Sequence, residues 1–304
     1  MLMTAFHGLC MAVADSVPGV SGGTIAFILG FYDRFLDALH GLFRGDMAVR
    51  RKSLLYLVKL GLGWGIGMVV CALLLSGLFT RYIYDMSSLF LGLTVASLPF
   101  ILVAERPALR GGLRHLPFTV LGLALVVGLT ALRSGTGPMG SLDFAQLQPL
   151  QLVYLFLTGA VAITAMVLPG ISGSTILLIA GAYLPAIQAI RRFLSLQLDV
   201  LPGLVALGLG VIAGVAVSIH AIRSALRRHR SQMVYLIVGL MLGSLYAIVM
   251  GPTSLSQPVA PLDLSTFDPA SALLGIAVLL GLEALRKRTE RQTKGKEVLL
   301  HGSR

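Results

Sequence analysis

Residues 17–25 read Val17-Pro18-Gly19-Val20-Ser21-Gly22-Gly23-Thr24-Ile25, and residues 168–176 return to the same phrase as Leu168-Pro169-Gly170-Ile171-Ser172-Gly173-Ser174-Thr175-Ile176. Each copy sits in the middle of a long apolar stretch. A Pro-Gly pair removes a backbone donor and ends a helix. The Ser-Gly-Gly or Ser-Gly-Ser run behind it presents bare amides and hydroxyls. A helix broken inside an apolar segment usually marks a binding site, so these two phrases decide how the rest of the chain is read.

Working outward, apolar segments of roughly membrane-spanning length recur along all 304 residues; 56% of residues are hydrophobic, 12% are charged, and the mean hydropathy is +0.87. The fold class this implies is an all-α polytopic membrane protein. A net charge of +11 would suggest nucleic acid in a soluble chain. Here the basic residues cluster in short loops between apolar segments, where they set topology and meet lipid headgroups, so no nucleic-acid partner is expected. Cys10 and Cys71 lie in apolar surroundings without Cys or His spacing for a disulfide framework or a metal site, and no cofactor is expected. No basic stretch precedes the first apolar run, which is therefore not read as a cleaved leader.

The segments group into two halves. The first, residues 1–133, holds a broken segment over 2–39 and apolar spans over 54–79, 88–104 and 116–132. A loop over 134–149 follows, beginning after Arg133 and without Lys or Arg. The second half, 150–285, holds a broken segment over 150–190 and spans over 201–222, 233–250 and 270–285, and a basic tail covers 286–304. Beyond the motifs, Gly61-Leu62-Gly63 matches Gly208-Leu209-Gly210, and Gly92-Leu93 matches Gly239-Leu240. The motifs are 151 residues apart and these later pairs 147, so the chain is an internal duplication with one shorter loop in its second half.

Charge then sets the orientation. If both broken segments are re-entrant hairpins, the cytoplasmic side receives residues 34–52, 105–115, 223–231 and the tail, which together carry 19 of the 24 Lys and Arg. Single crossings by the broken segments would instead place the Arg223 to Arg230 loop outside. The re-entrant arrangement puts hairpin one at the cytoplasmic side, hairpin two at the outer side and both termini in the cytoplasm. That is an inverted repeat, as in alternating-access carriers.

Non-helical backbone at membrane depth is tolerated where it is enclosed by protein or lines a cavity. A helix starting after Pro-Gly turns its free N–H groups toward that cavity, and an anion is what they suit. The candidate seat comprises Ser21, Gly22, Gly23 and Thr24 with Ser172, Gly173, Ser174 and Thr175; Pro18, Gly19, Pro169 and Gly170 make the breaks. The bland alternative is a pair of helix kinks lined with small residues for packing.

At this point the residues carry a resemblance. Ala14-Asp15-Ser16-Val17-Pro18-Gly19-Val20-Ser21-Gly22-Gly23-Thr24-Ile25-Ala26-Phe27, with Gly30-Phe31-Tyr32-Asp33-Arg34 behind it, resembles the signature of the polyprenyl-phosphate transporter family, known earlier as domain of unknown function family 368. Ala165-Met166-Val167-Leu168-Pro169-Gly170-Ile171-Ser172-Gly173-Ser174 with Gly181-Ala182-Tyr183 is similar to its second signature, and Gly239-Leu240 to Gly243-Ser244 to its later Gly-rich helix. Thr175 departs from the pattern, which has a bulkier apolar residue there. The resemblance implies a translocase of the bacterial inner membrane that returns undecaprenyl phosphate, the carrier lipid of cell-wall sugars, from the outer to the cytoplasmic leaflet. The residues alone reach only as far as an anion, or an anionic headgroup, moved across a membrane.

Charged residues near the motifs are weighed separately. Asp15 lies in an apolar run, and an intramembrane acid is a candidate for coupling or gating; a local cap on the broken helix, or a partner for Lys59, is the competing account. Asp33 is a second gating candidate and Arg34 a phosphate-binding one, against an interfacial ion pair or anchor. Arg191 and Arg192 break the charge pattern on the outer side, where they recruit an anionic headgroup or stop the chain. Trp64 is read as interfacial or packing.

Besides a lipid carrier, a channel or exchanger for a small inorganic anion fits opposed helix ends. A membrane phosphatase does not, because it needs an activated nucleophile or a His/Asp/Arg cluster. His7, eleven residues before Pro18, is the nearest histidine to the first motif, and none lies near the second. No enzyme activity is expected. Partners are the polyprenyl phosphate and the bilayer, with a homo-oligomer left open.

Overall fold

The computed structural model describes residues 2–15, 21–110, 112–132, 142–254, 259–281 and 283–284. Pro18, Gly19 and Arg133, residues 134–141 of the loop over 134–149, and the tail over 286–304 lie outside the described residues. The described elements are α1 (Leu2–Asp15), α2 (Gly22–Ile28), α3 (Tyr32–Arg44), α4 (Met47–Arg81), α5 (Ile83–Ala104), α6 (Arg106–Leu109), α7 (Leu116–Ala131), α8 (Pro149–Val167), α9 (Gly173–Ile179), α10 (Tyr183–Leu194), α11 (Leu201–Arg228), α12 (Arg230–Val249) and α13 (Pro269–Gly281), with short 3₁₀ turns between some of them. Among the described residues five helices, namely α4, α5, α8, α11 and α12, are long and apolar enough to cross a membrane. The chain is a multi-pass helical membrane protein.

Each broken segment resolves into three helices, and the short middle helices α2 and α9 end in the same way. Gly30 (φ +73°) and Gly181 (φ +68°) take the left-handed conformation that a side chain resists. Gly30 N–H donates to Phe27 O and Phe31 N–H to Ala26 O, at 3.1 and 3.0 Å. Gly181 N–H donates to Leu178 O and Ala182 N–H to Leu177 O, at 2.9 and 2.8 Å. This is the Schellman closure of a helix C-terminus. It turns the chain from α2 into α3, and from α9 into α10, after two helical turns.

Glycines draw the long helices together, because lipid gives no hydrophobic drive for helices to associate and close backbone packing must supply it. A Cβ on Gly63 would lie 1.9 Å from Ala5 O and one on Gly210 2.0 Å from Phe156 O, so α1 presses on α4 and α8 on α11 at matching positions. Likewise a Cβ on Gly92 would lie 2.1 Å from Ala272 O, and one on Gly239 2.1 Å from Thr119 O, joining α5 to α13 and α7 to α12. Equivalent residues of the two halves thus make equivalent contacts.

The core gathers around α2. Ile25, Ala26, Phe31 and Tyr32 pack with Phe90 and Leu93 of α5, Ile219 of α11, and Ile237 and Met241 of α12. The outer faces of α4 and α11 expose Leu62, Ile66, Val69 and Val217, as expected of surfaces that meet acyl chains. Helix α4 begins well before the expected span at 54, because the Asp46 carboxylate caps it by accepting Val49 N–H at 2.8 Å. The basic turn Arg50-Arg51-Lys52 then continues as helix.

Candidate functional site

Where α1 ends and α2 begins, the backbone donors are accounted for locally. Ser21 is the N-cap of α2, in extended conformation, and its Oγ accepts Gly23 N–H at 3.1 Å. Thr24 N–H donates to Ser21 O at 2.9 Å. Gly22 N–H donates to Asp15 Oδ1 at 2.7 Å, and the second oxygen, Oδ2, accepts the indole N–H of Trp64 from α4 at 2.9 Å. The carboxylate therefore ties α1, α2 and α4 together at the start of α2, where negative charge is favoured. A Cβ at residue 22 would stand 2.5 Å from Asp15 Oδ2, so the bond from its N–H keeps its geometry only with glycine there.

The start of α9 is built differently from nearly the same residues. Ser172 is extended there too, but its side chain makes no cap; its Oγ shares a hydrogen bond with Ser174 Oγ at 2.7 Å. Thr175 N–H donates to Ser172 O at 3.1 Å. Met166 takes the place of Asp15, and a Cβ on Gly173 would meet Met166 Cβ at 3.3 Å rather than a carboxylate. Ser21, Thr24, Ser172 and Thr175 are all buried.

The two motifs touch. Gly170 N–H donates to Thr24 Oγ1 at 2.9 Å, and the Ser21 hydroxyl faces Met166 O at 3.5 Å. Tyr32, at the start of α3, donates its buried hydroxyl to Val167 O at 2.9 Å. Gly170 itself adopts φ +92° and lies against α12, where a Cβ would stand 2.7 Å from the Leu240 carbonyl carbon. Pro169 and Gly170 thus place the end of α8 directly beside α2.

The other charged residues lie away from this crossing. Arg34 is exposed and stacks its guanidinium over the Tyr56 ring, 4.9 Å from the centroid. Asp33 meets Arg230 at 3.5 Å, and Arg230 is held by Glu105 through paired bonds at 2.6 and 2.9 Å. Arg192 pairs with Asp199 and reaches Asp143 at 3.7 Å. Two roles were missed in the sequence: Trp64 as a hydrogen-bond donor to Asp15, and Glu105 as the partner of Arg230. Being the only Trp of the chain was a signal for the first; an acid at the end of an apolar span was one for the second.

Comparison with known proteins follows the same lines. The sequence profile of the undecaprenyl phosphate translocase-like family matches residues 11–262. The chain is 33% identical to the polyprenyl-phosphate transporter of Vibrio cholerae serotype O1, over 93% of this chain and 94% of that protein. It is 32% identical to the polyprenyl-phosphate transporter of Staphylococcus aureus, over 82% of this chain and 86% of that one. No solved structure matches.

Proposed function

We propose, on the premise that this chain belongs to the undecaprenyl phosphate translocase-like family, that it is a carrier of polyprenyl phosphate. In this reading it moves undecaprenyl phosphate from the outer to the cytoplasmic leaflet of the bacterial inner membrane and returns the lipid for another round of cell-envelope synthesis. The substrate is moved, not chemically altered.

The observation that supports this most is the contact between the motifs, Gly170 N–H on Thr24 Oγ1 at 2.9 Å. A headgroup crossing the apolar interior needs one polar seat that is reached in turn from either side. A seat built half from each copy of an internal repeat meets that need. In the proposed arrangement residues 1–133 and 150–285 form an inverted repeat, with hairpin 2–39 opening to the cytoplasm and hairpin 150–190 to the outside.

Taking a phosphate out of water is costly unless donors replace its hydration. Ser21, Gly22, Gly23 and Thr24 supply them from one side, and Ser172, Gly173, Ser174 and Thr175 from the other. The start of α9, which has no side-chain cap, receives the phosphate first. The start of α2 opens only when Asp15 leaves Gly22 N–H, which makes Asp15 the gate of that half. Asp33 and Arg34 act later, at the cytoplasmic surface.

The test is leaflet-to-leaflet movement of labelled polyprenyl phosphate in liposomes holding the purified protein, with chloride and inorganic phosphate flux followed in parallel. Ser21→Leu and Ser172→Leu each fill the seat and are expected to abolish lipid movement while the protein stays folded by circular dichroism and size exclusion. Normal movement in both variants overturns the site. Ion flux without lipid movement overturns the substrate and assigns a small-anion pathway.

A further inference from the structure

A cavity of about 540 Å³ lies between the turn from α2 to α3, the C-terminal half of α5 and the first residue of α12. That is within the size range of small-molecule pockets, roughly 300 to 1,000 Å³. Phe27, Pro99, Phe100 and Ile101 form an apolar wall. Val103 also lines it and is 75% exposed, so the cavity opens at the surface beside an apolar side chain. A route for small ions has no use for an apolar side opening.

Arg230 supplies the positive charge in this lining, and it is held on one edge. Its Nε donates to Glu105 Oε2 at 2.9 Å and its Nη2 to Glu105 Oε1 at 2.6 Å, a fork from a carboxylate that is only 12% exposed. Two of the five guanidinium donors are used in this way. Nη1 reaches Asp33 Oδ2 only at 3.5 Å, and the Asp33 side chain is 62% exposed. One edge of the guanidinium is thus fixed by a buried acid, while the other holds a loose, wet partner that a stronger anion can replace.

We infer that this cavity is a lateral mouth for a phosphate monoester carried on an apolar chain. Arg230 binds the headgroup, Glu105 positions Arg230, and Asp33 is the resident competitor. The inference rests on the carrier reading above and places the entry or exit point of the same substrate. Glu283 also lines the cavity, so carboxylates outnumber the guanidinium and the phosphate is held loosely. Loose holding suits a point of passage, where a substrate must leave as readily as it enters.

The experiment uses the full chain in lipid nanodiscs with a polyprenyl phosphate bearing a photoreactive group in its chain, the matching polyprenol, and peptide mapping of the label. Labelling of the 99–105 segment by the phosphate is expected to exceed that by the polyprenol about tenfold, roughly the contribution of one charge-assisted contact. Arg230→Gln should bring it down to the polyprenol level, Arg230→Lys should restore part of it, and Asp33→Asn should raise it severalfold. Should Arg230→Gln fail to fold because Glu105 is stranded, Arg230→Gln combined with Glu105→Gln keeps an uncharged hydrogen-bonded pair and carries the same test.

Equal labelling by phosphate and polyprenol, or labelling unchanged in that double variant, overturns the inference. Competition by inorganic phosphate as effective as by unlabelled polyprenyl phosphate assigns the seat to the free ion and overturns the lateral mouth. Arg230-dependent labelling in a protein that moves no lipid upholds this site and removes the carrier reading instead.

Discussion

The starts of α2 and α9 share Ser-Gly-x-Thr-Ile, the same helix length and the same closing turn, yet one is closed by a carboxylate and the other is not. The difference comes from outside the motif. Seven residues upstream the first half has Asp15 and the second Met166, and on the long partner helix Trp64 corresponds to Val211. Acid and indole occur together in one half and are both missing in the other. A motif therefore specifies a backbone shape, and its surroundings decide whether the donors of that shape are taken or left open.

The largest effect expected on this contrast comes from Asp15→Asn. Gly22 and Trp64 donate to different oxygens of the carboxylate, so in the same pose a carboxamide turns its NH₂ toward one of the two donors. The cost should be about 1–3 kcal/mol, against less than about 1.5 kcal/mol for Met166→Leu, a swap that conserves volume. Thermal unfolding in detergent measures both. Equal losses would mean that the carboxylate contributes no more than packing.

Gly22→Ala comes next. Its Cβ would push Asp15 off the helix by steric contact alone, costing about 1–3 kcal/mol as overpacking does. If gating is the role of Asp15, this variant should also raise the basal rate of lipid movement, which a purely structural carboxylate would not do.

How much of this was legible follows from range. The broken segments and spans are written in local apolar patterning, and of the glycines that marked the repeat, Gly63, Gly92, Gly210 and Gly239 are positions at which helices touch, while Gly61 and Gly208 face open space. Gly63 with Ala5 and Gly210 with Phe156 are one such pair of contacts. Asp15 with Trp64, 49 residues apart, and Glu105 with Arg230, 125 apart, were not legible. Such pairs form across helix faces, and no periodicity within either helix announces them. The free donors expected at Gly22, Gly23 and Thr24 were read from the helix break alone; the competing reading of Asp15, a local cap on the broken helix, is the one its bond with Gly22 N–H matches.

A smaller effect separates the caps. Ser21→Ala removes the acceptor of Gly23 N–H and should cost about 1 kcal/mol, while Ser172→Ala loses only its bond to the Ser174 hydroxyl and should cost a few tenths. Melting curves of the two variants side by side give the answer, and a larger loss at Ser172 would reverse the assignment of which end is capped.

The smallest effect lies in the loop before α13, where Asp263 offers an exposed counterpart to Asp15. The Ser265 hydroxyl, with the Thr266 amide and hydroxyl, holds its carboxyl down to about 2. Because the folded value is lowered, the stabilisation is present above the ordinary carboxylate range near 4 and is lost as pH falls from there through about 2. Amide exchange at Ser265 and Thr266 should quicken across that window and stay level above it. Asp263→Asn should flatten the response with no change in lipid movement.

The hydrogen bond from Trp64 to Asp15 also gives the protein a built-in optical reporter. No other tryptophan is present, so emission excited beyond the tyrosine absorption band comes from the one indole that touches Asp15. Any step that draws the carboxylate away from it, whether a phosphate arriving at α2 or a shift of α1, changes the colour or yield of that emission without a label. Movement of the Asp15 carboxylate can then be timed by stopped-flow mixing on the unmodified molecule.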